Sequence, residues 1–66
     1  MADFHHMYPQ MRTYHFVDGT QRRFEHVQNV VMSTWEHVWL PDKTVAIINP
    51  ANVKYTVCRP EGDING

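Results

Sequence analysis

The side chains of this chain that could do chemistry are histidines and glutamates in a weakly repeated pattern. Phe24-Glu25-His26-Val27 and Trp35-Glu36-His37-Val38 share the order aromatic, Glu, His, Val and lie eleven residues apart, and His15 lies eleven residues before His26. Eleven residues is about one strand plus one turn, so the three imidazoles could lie at one level of a sheet. Imidazole and carboxylate groups are ordinary zinc ligands.

The same pattern also arises when polar and core positions simply alternate along strands, and we favour that interpretation. Two histidines four apart with a glutamate between them, the spacing that binds zinc on a helix, are absent from the sequence. His5 and His6 are adjacent, so on a strand their side chains would point to opposite faces. We therefore expect no metal and no cofactor, and we keep His15, His26 and His37 only as weak metal candidates.

Motifs typical of enzymes are also missing. The sequence contains no nucleophile elbow, phosphate loop, dinucleotide fingerprint or Cys-x-x-Cys pair. Its three glycines, Gly19, Gly62 and Gly66, are too scattered to form a phosphate-binding loop. Cys58 is the single cysteine, which excludes an intramolecular disulfide. These absences favour a non-enzymatic binding protein.

One basic and aromatic group could bind a ligand or a partner. Arg22-Arg23 is the only basic pair in the sequence, and Tyr14 and Phe24 lie near it. Guanidinium groups beside aromatic rings can stack on bases or hold a phosphate. The alternative is an exposed sheet face that is covered by arginine stems.

Two tryptophans are more than a core of this size readily accommodates. We expect Trp35 to be buried, and we expect Trp39, beside the turn that begins at Pro41, to anchor an interface.

Length and charge bound the remaining possibilities. A chain of 66 residues has room for one domain with a marginal core, and such chains usually gain stability from disulfides, metals or partner subunits. We therefore expect self-association. The net charge of −1 does not favour non-specific DNA binding. No apolar run is long enough to cross a bilayer, so we expect no membrane partner and a cytoplasmic location.

Composition and turn residues predict strands. Valine occurs eight times and leucine once, which favours β structure. Asp18-Gly19 predicts a hairpin between residues 13–17 and 20–24, and 41–43 predicts a second hairpin. Within residues 24–39 the apolar side chains also fall at spacings of three and four, so a central helix is the alternative to strands there.

The predicted fold is mainly β, a small five-stranded antiparallel sheet or barrel with a short helical turn near Pro50 to Val53. In order and spacing, five short strands with a Pro-Ala-Asn-Val corner before the last one resemble the SH3-like barrel, and the specific part of the likeness covers residues 49–57. The chain lacks the acidic, aromatic loop with which SH3 domains hold proline-rich peptides, so peptide recognition does not carry over.

We divide the chain into an amino-terminal arm (1–11), a β domain (12–59) and a tail (60–66). The function that we expect is that of a homo-oligomeric phage or mobile-element accessory protein that inhibits or sequesters a host protein or a small anionic ligand. A single-stranded nucleic-acid-binding small barrel and a structural or assembly subunit are the alternatives.

Overall fold

The computed structural model describes residues 7–61, which form six β-strands and one turn of 3₁₀ helix. In chain order the elements are β1 (Gln10–Phe16), β2 (Gln21–Val27), β3 (Asn29–Met32), β4 (Glu36–Trp39), β5 (Val45–Ile48), the 3₁₀ turn (Pro50–Asn52) and β6 (Val53–Pro60). The described chain is therefore mainly β, as predicted. The helical alternative for residues 24–39 is wrong, because this segment contains the end of β2 and all of β3 and β4.

The ends of the domain differ in extent from the predicted arm and tail. β1 begins at Gln10, within the predicted arm, and β6 ends at Pro60, the first residue of the predicted tail. The Glu61 N–H donates to the Pro9 carbonyl at 3.0 Å, which joins the two ends of the described chain. Residues 1–6 and 62–66 of the arm and tail lie outside the described residues.

The described strands form two open antiparallel sheets, rather than one five-stranded sheet or a closed barrel. Sheet A has the strand order β2-β1-β6, and sheet B has the order β3-β4-β5. The chain passes from one sheet to the other at Gln28, whose N–H donates to the Trp39 carbonyl at 2.8 Å. The two sheets pack face to face, so each has an inner face toward the core and an outer face turned away from it.

The first hairpin joins β1 to β2 through a three-residue loop, 17–19, as the Asp18-Gly19 pair predicts. The Phe16 N–H donates to the Thr20 carbonyl at 2.9 Å, and Gly19 adopts a φ of 90°. This geometry is a turn closed by a left-handed residue, which glycine adopts without a steric penalty. The Thr20 hydroxyl and N–H donate to the Asp18 carboxylate at 2.6 and 2.9 Å, and these bonds lower the pKa of Asp18.

The second hairpin joins β4 to β5 through a loop, 41–43, with the same hydrogen bonds. The Leu40 N–H donates to the Thr44 carbonyl at 2.9 Å, and Lys43 takes the left-handed position with a φ of 69°. Hydrogen bonds from the Thr44 hydroxyl and N–H lower the pKa of Asp42. The two loops thus share an Asp-x-Thr sequence and one geometry, and they differ in the residue that has positive φ.

The 3₁₀ turn lies where a helical turn was predicted. Its Asn49 cap accepts a hydrogen bond from the Ala51 N–H at 3.0 Å, and Pro50 begins the turn. The Asn52 carbonyl accepts the Val17 N–H at 2.9 Å. This bond ties the turn to the first hairpin and places β6 beside β1.

The apolar core is small and lies between the inner faces of the sheets. Among the described residues its buried members are Tyr14, Phe24, Val27, Val38 and Ile48. The rings of Tyr14 and Phe24 meet edge to face, with centroids 5.9 Å apart and an interplanar angle of 76°. Few residues fill this core, so a large share of the apolar side chains remains outside it.

Candidate functional site

The predicted basic and aromatic group does not form one surface. Arg22 and Arg23 are neighbours on β2, so their side chains point to opposite faces of sheet A. Arg22 lies over the ring of Phe24 at 5.1 Å, whereas Arg23 forms an exposed 3.1 Å ion pair with Glu25. Tyr14 is fully buried, and Phe24 is only 8% exposed. Both rings belong to the core and are covered on most sides, which leaves the arginines as the accessible part of the group.

A cleft of about 500 Å³ joins the Arg23 region to the second hairpin loop. The residues that line it are Arg23, Phe24, Glu25, Leu40, Pro41 and Asp42. The two carboxylates outnumber the single guanidinium, and the lowered pKa of Asp42 keeps its carboxylate charged. This charge balance does not favour a small anionic ligand in the cleft. The apolar floor suits a side chain of a protein partner better.

The three histidines of the repeated pattern lie in three different places. His15 lies on the outer face of sheet A and stacks on Tyr55, and His37 lies on the outer face of sheet B. His26 lies at a bulge in β2. Within residues 7–61, no group of three or more His, Cys, Asp or Glu side chains could hold a metal ion.

His26 is held by Glu61 at the end of β6. It has a φ of 59°, which a histidine tolerates better than most residues. The Glu61 carboxylate lies 2.7 Å from His26 Nδ1 and accepts the His26 N–H at 3.1 Å. The contact fastens the bulge to the carboxyl end of the domain, and the sequence did not predict it.

A buried polar network connects the two sheets. The Tyr14 hydroxyl donates to Glu36 Oε1 at 2.9 Å and accepts from Arg12 Nε at 3.0 Å. Arg12 also donates to Gln10 Oε1 at 2.7 Å, and its other terminal nitrogen lies 3.7 Å from Glu36 Oε1. Arg12 is 2% exposed, Glu36 is 9% exposed and Gln10 is fully buried. The network therefore places an ion pair inside the core of a very small protein.

The electrostatics of this network hold Tyr14 in its neutral form. Burial raises the pKa of the Tyr14 hydroxyl far above its usual range, Arg12 opposes this effect, and the hydrogen bond to Glu36 adds to it. A hydroxyl that keeps its proton can donate to the Glu36 carboxylate. The network is enclosed by both sheets, so we assign it to the fold and not to a reaction.

The outer face of sheet B is apolar and exposed. Cross-strand pairing aligns Val31 with His37 and Ile47 in one row, and it aligns Trp39 with Val45 and with the polar, exposed Asn29 in the next. Val31, Trp39 and Ile47 are 42%, 40% and 48% exposed. The strands of sheet B direct no Lys, Arg, Asp or Glu side chain to this face. We call Val31, His37, Trp39, Val45 and Ile47 the sheet B face.

Of the sheet B face, only Trp39 was predicted from the sequence to lie at an interface. The runs Val30-Val31 and 45–48 were the available sequence pattern, because consecutive apolar residues in a strand place apolar side chains on both faces of the sheet. The apolar side chains on one face of the sheet then pack in the core, and the exposure of those on the other face needs a separate explanation.

The prediction that Trp35 is buried is wrong. Trp35 lies in the tight turn between β3 and β4, where its carbonyl accepts the Ser33 N–H at 3.2 Å, and it is 44% exposed. A turn at the end of the sandwich cannot direct a ring this large between the sheets. Met32, at the same end, is 62% exposed. Met32 is aligned with the buried Glu36, so it points to the opposite side of sheet B from the sheet B face.

Comparison with family models, with curated proteins and with solved structures finds no match for this chain. Within residues 7–61, no helix has the length and apolar character that crossing a bilayer would require.

Proposed function

We propose that this chain is a non-enzymatic binding protein that works as a homodimer, with the sheet B face as the dimer interface. The observation that carries the proposal is the exposure of Val31, Trp39 and Ile47 on one uncharged sheet face. Contiguous exposed apolar patches on small proteins mark interaction sites. A second copy of the chain is the partner that this face fits best.

Three features favour a second copy over a different partner. The face carries no formal charge apart from the titratable His37, so two identical faces do not repel each other. A partner subunit is one of the usual means by which a chain with so small a core is stabilised. Finally, a standard interface takes about 800 Å² from each partner, about a sixth of the 4573 Å² surface of this chain. Trp35, in the turn between β3 and β4, can add to the area that the sheet B face supplies.

The proposed assembly is a closed dimer. Contact between the same face on both copies is isologous and follows a two-fold axis, which ends the assembly at two subunits. We further propose that β2 and β3 are two halves of one bent strand, interrupted at Gln28, in a five-stranded SH3-like arrangement. A structural subunit that builds rings or filaments would need a second, different interface.

In the dimer the Arg23–Asp42 cleft stays open for a protein partner. It lies between β2 and the second hairpin loop, and its lining includes none of the five residues of the sheet B face. Inhibition or sequestration of a host protein, as by phage and mobile-element accessory proteins, is the role that fits a small dimer with two such clefts.

Light scattering coupled to size exclusion tests the dimer interface. We expect the wild type to have the mass of two chains. Ile47→Glu should have the mass of one chain, because each copy would place a carboxylate against its symmetry mate. Trp39→Ala should weaken association about 30-fold, the effect of removing an anchor residue.

Val17→Glu is the matched control, because Val17 is 65% exposed in the first hairpin loop and lies outside the sheet B face. It should keep the wild-type mass. A wild type that runs as one chain at every concentration, or an Ile47→Glu variant that stays dimeric, would show that this face is not the interface.

A further inference from the structure

The outer face of sheet A carries an aromatic stack that the core does not use. The rings of His15 on β1 and Tyr55 on β6 lie nearly parallel, with centroids 4.3 Å apart and an interplanar angle of 15°. Tyr55 is 52% exposed, and Val57, two residues along the same strand and on the same face, is 43% exposed. Tyr55 and Val57 thus face outward, while Thr56 and Cys58 face inward, and Val53 at the start of β6 packs against the core.

The stack is open on one side. His15 covers the face of the Tyr55 ring that is directed toward β1. β6 is the edge strand of the described sheet A, with order β2-β1-β6, so no strand of the sheet lies beyond Tyr55. The second face of the ring is therefore available to a further planar group. Such a group would continue the stack at the sheet edge.

An exposed cation lies on the same face as this stack. Alternation along β6 places the exposed Arg59 on the same outer face as Tyr55, whereas Lys54, adjacent to Tyr55, falls outside that alternation. Arg23 lies on this face two strands away, where it pairs with Glu25 at 3.1 Å, so this carboxylate is largely compensated. The Glu61 carboxylate, two residues beyond Arg59, is held by His26, which leaves Arg59 as an exposed cation on the same face as the exposed Tyr55 ring.

We propose that the outer face of sheet A binds single-stranded nucleic acid, with a base stacked on Tyr55 and the phosphate backbone near Arg59. Aromatic side chains on an open sheet face, combined with cations that follow the backbone, are the means by which proteins bind single strands. The exposed Arg59 guanidinium on this face favours a polyanion over an apolar peptide. This face and the sheet B face lie on opposite sides of the sandwich, so the proposal is independent of dimer formation.

Fluorescence anisotropy of a labelled oligouridine 12-mer, measured on the full chain at several salt concentrations, tests the site. We expect Tyr55→Leu to weaken binding about tenfold, because stacking is lost, and Tyr55→Phe to bind like the wild type, because the ring is kept. Arg59→Gln should weaken binding and reduce the salt slope by about one, as expected for a phosphate contact. Lys43→Gln, the charge-matched control in the second hairpin loop, should leave the affinity and the salt slope unchanged.

Circular dichroism and light scattering on Tyr55→Leu separate loss of the site from loss of the fold or of the dimer. Weakened binding by a variant that keeps the wild-type spectrum and mass supports the proposal. Three outcomes would overturn it: no binding by the wild type at about 50 mM salt, equal binding by wild type and Tyr55→Leu, or tighter binding of an acidic tyrosine-containing peptide than of the oligonucleotide.

Discussion

At the scale of single residues, the two hairpin loops offer a controlled comparison. Both loops place their third residue in the left-handed region, with φ values of 90° at Gly19 and 69° at Lys43. Their hydrogen bonds are otherwise the same. A side chain in this region costs about 1–2 kcal/mol through contact of its Cβ with the backbone. The second loop therefore carries strain that the first avoids.

We expect Lys43→Gly to stabilise the protein by about 0.5–1 kcal/mol, since the relief of strain exceeds the entropy that glycine adds to the unfolded chain. Gly19→Ala should destabilise it by about 1 kcal/mol. No heavy atom lies within 4 Å of a Cβ built on Gly19, so that cost comes from the backbone alone. Urea unfolding measures both changes in the free energy of unfolding. The protein concentration must be held fixed, because the stability of a dimer depends on concentration. Equal effects of the same sign would contradict the shared loop geometry.

The residue scale also shows what a local pattern can predict. Asp18-Gly19 predicted the first hairpin, and the structure confirms it. The second loop repeats the Asp-x-Thr sequence at 42–44, a pattern from which the common geometry could have been inferred. The network around Arg12 could not be predicted from a local pattern, because the hydrogen bond that joins it to the second sheet, from Tyr14 to Glu36, spans 22 positions in the chain.

At the scale of the elements, the buried network fixes how sheet A packs on sheet B. Tyr14 and Arg12 of β1 approach Glu36 of β4, and the ion pair is almost completely removed from solvent. Removing one partner of a buried pair leaves the other charge uncompensated, which typically costs about 3–5 kcal/mol. Replacing both partners of the pair by apolar side chains destabilises the protein much less.

Glu36→Gln should therefore destabilise the protein by about 3 kcal/mol, with Arg12 left unpaired. The double variant Arg12→Met with Glu36→Leu should be more stable than Glu36→Gln, because no buried charge remains. Denaturant unfolding of both variants and the wild type gives the comparison. A double variant less stable than Glu36→Gln would mean that the ion pair contributes more through attraction than it loses through desolvation.

The arrangement of the strands explains why residues 24–39 resembled a helix in sequence. Phe24 and Val27 are both buried although they are three apart, because the bulge between them adds a residue to β2 and His26 has a positive φ. Val31 and Val38 face opposite sides of sheet B, and Trp35 lies in a turn. The helical spacing arose from the bulge in β2, the passage of the chain from sheet A to sheet B, and the turn between β3 and β4. A pattern of apolar residues cannot distinguish these features from a helix.

At the scale of the whole molecule, a small core leaves two different outer faces. The sheet B face is apolar and uncharged, whereas the outer face of sheet A combines Tyr55 with arginines. Along β6 the apolar side chains of Tyr55 and Val57 face outward, whereas Val53 packs against the core. Alternation alone cannot predict which side of an edge strand is covered, because that depends on how the sheets pack on each other.

Burial of Trp39 on self-association is the most direct test of the central claim, that the sheet B face joins two copies. The chain has two tryptophans, so Trp35→Phe leaves Trp39 as the single tryptophan reporter. Its emission and its quenching by acrylamide can be followed as the protein is diluted from about 100 µM to about 0.1 µM. We expect a blue-shifted, protected tryptophan at high concentration that becomes red-shifted and accessible on dilution. A Trp39 that is equally accessible at every concentration would contradict the proposed dimer.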